Sequence, residues 1–202
     1  MNQDGILIVI SGPSGTGKST IVKEFIQRNP SIQLSISATT RKARAGEQEA
    51  VNYFYLSEQE FKQQLHQDAF LEHAVVYGNY YGTPREFVRQ KLSQGKNVLL
   101  EIDTAGAIQV RKKFSQGVFL FIVPPSIEEL RHRINSRGTE TEEEVDRRLS
   151  SALEEIQQLV HYDYVVMNDE ITKAVCLIES ILDAEKASVA RSRRKWLSTF
   201  SS

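Results

Sequence analysis

The sequence predicts an α/β fold in which helices cover a parallel β-sheet on both faces. Three short apolar runs, at residues 6–10, 98–102 and 118–123, have the length and β-branched content of buried strands. Their apolar residues are continuous and do not alternate with polar ones, which is typical of strands covered on both faces. A fourth run at residues 164–167 has the same character.

Helical patterns separate these strands along the chain. Ile21, Val22, Phe25 and Ile26 share one helix face, and Asn29-Pro30 ends that stripe. A second pattern covers residues 141–160, where Thr141 and Glu144 predict a capping box at the helix start. A last helix is predicted over residues 171–196.

Residues 35–83 interrupt this alternation with short segments, many aromatic side chains and many turn residues. Tyr53-Phe54-Tyr55 and residues 70–77 have the composition of strands. We therefore expect an insertion with a small β-sheet of its own, which carries substrate contacts.

The charge balance limits the kinds of partner. The chain has 202 residues, with 25 Lys and Arg against 26 Asp and Glu. That balance argues against broad electrostatic capture of nucleic acid or of an anionic membrane. We expect anion binding to depend on local clusters of Arg and Lys.

Cys176 is the one cysteine, which excludes an intrachain disulfide. Its apolar neighbours predict a buried, inert thiol. The longest apolar run is too short to span a bilayer, and the first residues lack the basic segment of a secretory signal. These features predict a cytoplasmic location.

The first strand is followed by the pattern G-x-x-x-x-G-K-[ST] and then by a helix. Glycines let backbone N–H groups turn towards a phosphate, and a helix N-terminus adds partial positive charge. The alternative is a plain glycine-rich turn between strand and helix, which the full pattern and its context disfavour. The residues predicted to bind ATP here are Gly12, Pro13, Ser14, Gly15, Thr16, Gly17, Lys18, Ser19 and Thr20.

Glu101 lies at the end of the second apolar run, and Asp103 directly follows that run. A carboxylate at the carboxyl end of a parallel strand faces the crevice where ligands bind in α/β folds. It could hold Mg²⁺ directly or through water, or it could be a solvated strand end. Ser19 is the second candidate Mg²⁺ ligand.

Arginines form two clusters, and Arg suits forked contacts with phosphate oxygens. One cluster contains Arg41 and Arg44. The other contains Arg131, Arg133, Arg137, Arg147 and Arg148. The second cluster predicts a lid over a triphosphate, with an ordinary charged helical hairpin as the alternative.

Four segments carry a resemblance to a known family. They are the phosphate loop, Thr39-Thr40-Arg41-x-x-Arg44-x-Gly46-Glu47 with Tyr53, Gly78-Asn79-Tyr80-Tyr81-Gly82, and Arg137-Gly138-Thr139-Glu140. Over residues 6–186 the chain resembles guanylate kinases in the order and spacing of these segments. The resemblance implies a P-loop, three-layer parallel-sheet core with an inserted β-rich GMP-binding subdomain and a helical lid.

On this basis residues 1–202 are expected to form one guanylate-kinase-like domain. Its core is expected at 1–34, 84–126 and 157–196, its GMP-binding subdomain at 35–83, and its lid at 127–156.

The resemblance also implies roles for individual residues. Arg41, Arg44, Tyr53 and Tyr81 would bind the GMP phosphate, and Ser37, Glu72 and Thr83 would bind the guanine. Glu101 and Asp103 would lie near Mg²⁺ and the guanine side of the site. Arg137 and Arg148 would contact ATP phosphates, and Asn168 would lie near the adenine. The residues expected to act in catalysis are Lys18, Arg41, Arg137 and Arg148.

The reaction implied is transfer of the γ-phosphoryl group of ATP to GMP, with Mg²⁺ as cofactor. The chain departs from the family pattern at Ala43, where proline is usual, and at Ala50, where a turn glycine is usual. Thr104 and Ala105 stand where a glutamine usually precedes Gly106, and Glu101 is the longer acid where Asp is also common.

Two alternatives remain. A catalytically silent guanylate-kinase-like module that binds phosphopeptides usually loses the lysine of the phosphate loop or the GMP contacts, and this chain retains both. A kinase of the same fold for another phosphorylated acceptor, such as a sugar phosphate, would not require the guanine-binding residues.

Overall fold

The computed structural model describes residues 5–135 and 141–200. The strands are β1 Leu7–Ser11, β2 Gln33–Leu34, β3 Ala38–Thr39, β4 Phe54–Tyr55, β5 Phe70–Val76, β6 Asn79–Pro84, β7 Val98–Glu101, β8 Val118–Val123 and β9 Tyr164–Met167. The helices are α1 Lys18–Arg28, α2 Glu58–His66, α3 Arg85–Ser93, α4 Thr104–Lys113, α5 Ile127–Asn135, α6 Glu142–Ile156, α7 Ile171–Ala187 and α8 Val189–Phe200.

The predicted parallel sheet is present, with the strand order β2-β7-β1-β8-β9. All four predicted apolar runs form its strands, and β1 is buried along its whole length. The sequence did not reveal β2, because it has only two residues and lies at the sheet edge. The α/β prediction is therefore confirmed.

Among the described residues, the chain divides into two compact units. The first unit contains residues 10–30, 118–135 and 141–200, and the second contains residues 5–9 and 31–117. The subdivision into core, GMP-binding subdomain and lid stays a prediction.

The first unit contains the predicted capped helix. The Thr141 backbone N–H donates to Glu144 Oε2 at 2.8 Å, and the Glu144 N–H donates to Thr141 Oγ1 at 3.3 Å. This reciprocal pair is the predicted capping box. Apolar residues of α5 and α6 form a buried cluster, made of Leu130, Ile134, Val145, Leu149 and Ala152.

The long terminal helix predicted over residues 171–196 is broken at Ser188. That residue has φ −59° and ψ 142°, so α7 ends there and α8 begins one residue later. The Ser188 hydroxyl donates to the Glu185 carbonyl at 2.8 Å, a local bond that competes with continued helix.

The prediction of a buried Cys176 was wrong. The buried positions of α7 are Ala174, Val175, Ile178, Ile181 and Leu182, whereas Cys176 is exposed. A helix turns about 100° per residue, so residues next to each other in sequence point in different directions. The burial of Val175 therefore does not imply burial of Cys176.

The second unit contains a mixed four-stranded sheet with the order β4-β3-β6-β5. Strands β3 and β4 are parallel, and β6 is antiparallel to both β3 and β5. Phe61 of α2 stacks on Phe70 of β5, with ring centroids 4.4 Å apart. The sheet and this aromatic core position the side chains expected to bind an acceptor.

Candidate active site

The phosphate loop in the first unit is packed too tightly for side chains at two of its glycines. Gly12 has φ 142°, and a Cβ there would lie 2.3 Å from the Ile122 carbonyl oxygen. Gly17 has φ 85°, and a Cβ there would lie 2.5 Å from Asn168 Nδ2. Glycine at these positions lets the loop approach β8 and the segment after β9.

Asn168 and Arg133 fix the backbone of this loop. The buried Asn168 amide donates to the Thr16 carbonyl at 2.7 Å, and Thr16 Oγ1 donates to the Pro13 carbonyl at 2.9 Å. Arg133 donates to the carbonyl of Asn168 at 3.0 Å and pairs with Glu129 at 2.7 Å. The sequence placed Arg133 in the second arginine cluster without a role. Its i,i+4 spacing from Glu129 was the one local signal.

Lys18 begins α1, and its ammonium group bends back over the loop. Its Nζ donates to the carbonyl oxygens of Gly12 and of Pro13, the latter at 2.8 Å. Arg148 of α6 donates to Ser14 Oγ at 2.8 Å, so a second cation lies at the same loop. Ser19 and Thr20 are exposed in the first turn of α1. Arg137 lies outside the described residues.

The residues expected at the guanine side of an acceptor site, Ser37, Glu72, Thr83 and Asp103, all belong to the second unit. Thr83 Oγ1 donates to Glu72 Oε1 at 2.6 Å, and the two residues are only 1% and 6% exposed. A Cβ at Gly106 would lie 3.2 Å from Glu72 Oε2 and 3.1 Å from Asp103 Oδ1, so Glu72, Thr83 and Asp103 meet at the start of α4.

The electrostatics of this site follow from its burial. Desolvation raises the pKa of Glu72, and the nearby charge of Asp103 raises it further. The Asp103 side chain accepts from the Gly106 N–H at 2.7 Å and caps α4. Ser37 is half-buried and directly precedes β3.

The residues expected to bind the acceptor phosphate, Arg41, Arg44, Tyr53 and Tyr81, also belong to the second unit. The Arg41 guanidinium lies 5.3 Å from the Tyr53 ring centroid, and interactions with Glu47 and Tyr81 raise the pKa of Arg41. The rings of Tyr53 and Tyr81 are 6.1 Å apart. Arg44 is exposed in the loop after Arg41. The structure therefore brings Arg41, Tyr53 and Tyr81 together.

Glu47 supports the cluster, and no role was predicted for it. Its Oε1 pairs with Arg41 Nη2 at 2.9 Å, and its Oε2 accepts from the Arg44 N–H and from the Tyr55 hydroxyl, each at 2.8 Å. The bond from Arg41 is the largest of the causes that lower the pKa of Glu47 to about 2. The sequence signal was weak, because Glu47 lies in a loop eight residues before Tyr55 of β4, a spacing that predicts no contact.

The two residues predicted to ligate Mg²⁺ belong to different units. Ser19 lies in the first unit, and Glu101 is half-buried at the carboxyl end of β7 in the second. Within residues 5–135 and 141–200, no three His, Cys, Asp or Glu side chains form a group that could hold a metal ion.

A family model described as "Guanylate kinase" matches residues 5–185. The chain belongs to the guanylate kinase family. It is 54% identical over 197 residues to a guanylate kinase of Caldanaerobacter subterraneus subsp. tengcongensis, covering 98% of this chain and 96% of that protein. A guanylate kinase of Clostridium perfringens is 53% identical, with 97% and 91% covered.

A solved structure gives the same result for the fold. The crystal structure of guanylate kinase from Anaplasma phagocytophilum matches with a TM-score of 0.73 at 33% identity. The match covers 97% of this chain and 95% of that one. The predicted family and fold class are thus confirmed. None of the helices in the described part of the chain has the length and apolar character needed to cross a membrane.

Proposed function

We propose that this chain transfers the γ-phosphoryl group of ATP to GMP and releases ADP and GDP. The observation that carries the proposal is the buried Glu72 carboxylate, which accepts a hydrogen bond from Thr83 at 2.6 Å. A carboxylate that is 6% exposed is costly unless a ligand completes its hydrogen bonding.

Guanine has the hydrogen-bonding groups that would complete this site. Its N1–H and 2-amino groups are donors for Glu72. Its O6 accepts from the Ser37 hydroxyl, because the one hydrogen of the Thr83 hydroxyl is donated to Glu72. AMP lacks both donors and would leave Glu72 unpaired in a buried site. Discrimination on the order of 10⁴ is typical of such a mismatch.

The phosphate of GMP would bind at Arg41, Arg44, Tyr53 and Tyr81. Arg41 lies next to Tyr53 and Tyr81 and forms an ion pair with Glu47. Planar guanidinium groups make forked bonds to phosphate oxygens. The arrangement therefore suits a phosphate monoester.

ATP would bind at the phosphate loop, with Lys18 and Arg148 at its phosphates and Asn168 near its adenine. Ser19 and Glu101 would hold Mg²⁺, directly or through water. A hydroxyl and a carboxylate fit Mg²⁺, which prefers oxygen ligands and keeps several waters beside substrate phosphates. When bound, the metal ion neutralises charge on the transferred phosphoryl group.

The chemistry requires no general base. A phosphate monoester has a second pKa of about 6, so the acceptor is mostly a dianion at pH 7. Lys18, Arg41, Arg148 and Arg137 would align the reactants and stabilise the charge on the transferred group. Residues 35–83 are proposed as the GMP-binding subdomain and residues 127–156 as a lid that excludes water. We propose a cytoplasmic enzyme for small substrates, without a nucleic-acid or membrane partner.

The test is ADP formation from ATP and Mg²⁺ with GMP, AMP, CMP, UMP or ribose 5-phosphate as the acceptor. We expect rapid turnover with GMP alone. Turnover with ribose 5-phosphate at a similar rate would point to a sugar-phosphate acceptor instead. ATP binding without turnover of any acceptor would favour the silent phosphopeptide-binding module.

A further inference from the structure

The Glu47 carboxylate in the second unit divides its bonds between its two oxygens. Oε1 accepts from Arg41 Nη2 at 2.9 Å. Oε2 accepts from the Tyr55 hydroxyl and from the Arg44 N–H, both at 2.8 Å. The Glu47 N–H in turn donates to the Arg44 carbonyl at 3.1 Å, which closes the turn between these residues.

Tyr55 differs from the other members of this network because it belongs to the sheet. It is the last residue of β4 and pairs with Thr39 of β3. The next N–H, that of Leu56, donates to the Thr39 carbonyl at 2.9 Å. The 14 residues between β3 and β4 carry Arg41, Arg44 and Glu47 and form no regular helix. The Tyr55 hydroxyl therefore joins this loop to a fixed strand.

We propose that Tyr55 is a positioning residue for the acceptor phosphate and that it acts on Arg41 through Glu47. The inference rests on the proposed role of Arg41 in binding GMP. The Tyr55 hydroxyl touches neither Arg41 nor a substrate in this scheme. Its effect is to hold one carboxylate oxygen of Glu47 so that only the other engages the guanidinium.

The physical reason is competition between two anions for one guanidinium. A carboxylate that is free to rotate forms paired, parallel bonds with Arg, which are stronger and occupy more of its N–H groups. Tyr55 and the Arg44 N–H prevent that arrangement by occupying Oε2. Arg41 is then held by Glu47 at Nη2 and by the Lys42 carbonyl at Nη1, 2.8 Å away, and its other N–H groups would bind the phosphate. Loss of the hydroxyl would strengthen the competing pair and weaken phosphate binding.

The experiment compares wild type with Tyr55→Phe, which removes the hydroxyl and keeps the ring. We expect KM for GMP to rise roughly 3- to 10-fold, the effect of one net hydrogen bond. The turnover number and KM for ATP should stay within about twofold, because ground-state binding of one substrate is altered.

Tyr164→Phe is the matched control. The Tyr164 hydroxyl donates to Glu185 Oε1 at 2.6 Å in the first unit, so the same type of bond is lost. It should lower thermal stability by a similar amount without changing KM for GMP. Equal rises in KM in both variants would mean a general loss of stability and would refute the inference.

A double-mutant cycle with Glu47→Gln tests the route of the effect. If Tyr55 acts through the Glu47 carboxylate, Tyr55→Phe should change KM for GMP much less in the Glu47→Gln background than in wild type. An effect of full size there would overturn the proposal, as would an unchanged KM for GMP in Tyr55→Phe alone.

Wild-type turnover separates this inference from the proposed function. Active wild type with an unaltered Tyr55→Phe refutes the positioning role only. If wild type shows no turnover, the proposed reaction fails, and GMP affinity measured by calorimetry decides the inference. A dissociation constant that is unchanged by Tyr55→Phe would then refute it.

Discussion

Replacement of Glu72 by Gln should make the ligand-free protein more stable and much less active. Glu72 is 6% exposed, and desolvation together with Asp103 raises its pKa. Gln keeps the side-chain shape and an oxygen for the bond from Thr83, and it removes the buried charge. We expect the free energy of unfolding at pH 7 to rise by about 1 kcal/mol, as is common when a destabilising group is removed from a functional site. The melting temperature should rise by roughly 2–4 °C.

The stability difference should depend on pH in a defined direction. The folded-state pKa of Glu72 lies above its ordinary value of 4.5. Below that value the carboxyl is neutral in folded and unfolded chains, so wild type and Glu72→Gln should have similar stability. As pH rises from the ordinary value through the folded-state pKa, the unfolded chain ionises more readily than the folded one. Wild type therefore loses stability relative to Glu72→Gln over this interval.

The loss of activity follows from the hydrogen bonds to guanine. The Gln amide places a donor opposite guanine donors, so two charge-assisted bonds are lost. Their typical contributions predict a fall of roughly 10²- to 10⁴-fold in kcat/KM for GMP. The assays are thermal unfolding between pH 4 and 8 and steady-state kinetics. A stability difference that does not change with pH, or kcat/KM within threefold of wild type, would refute the reasoning.

Three further variants test other parts of the molecule. Lys18→Ala should lower kcat by roughly 10²- to 10³-fold with native-like unfolding, and kcat near wild type would exclude the role proposed for the lysine. Asn168→Ala should destabilise the protein by about 1–2 kcal/mol and raise KM for ATP. Asn97→Ala, which removes a comparable 2.9 Å bond to a backbone N–H, should leave KM for ATP unchanged, and calorimetric unfolding with ATP titrations compares the two. Ala50→Gly should stabilise the protein by about 0.5 kcal/mol, because Ala50 has φ 58° and glycine suits that conformation better. Ala45→Gly, at a position without positive φ, should destabilise the protein. Urea unfolding that finds Ala45→Gly more stable than Ala50→Gly would contradict this interpretation.

Ala50 shows how a departure from the family pattern can predict local strain. The resemblance placed a glycine at this position, and the structure has alanine there in the left-handed region. The adjoining hydrogen bond, from the Ala50 N–H to the Tyr53 carbonyl at 2.9 Å, keeps the turn. The loop geometry is thus retained with a residue that is less suited to it.

The sequence was informative where the structure depends on near neighbours. The phosphate loop, the capping box of α6 and the four long sheet strands each depend on residues within one strand, turn or helix. Predictions were missed or wrong where a segment was too short to show a pattern, or where packing against other elements decided which side chains are buried. The two-residue β2 had too few residues for a pattern, and the side of α7 on which Cys176 lies depends on what that helix packs against.

By itself the sequence predicted the four apolar strands and the phosphate loop, because these depend on local spacing and hydrophobic pattern, and its resemblance to guanylate kinases indicated the family. Only the tertiary structure decided which side chains meet. Asn168 reaches the Thr16 carbonyl across 152 residues, and Glu72 meets Thr83 and Asp103 from separate elements. The Glu47 carboxylate in the loop accepts from the Tyr55 hydroxyl at the end of β4. Such contacts form because chain folding joins distant segments, and a linear pattern of residues does not encode the distance between them.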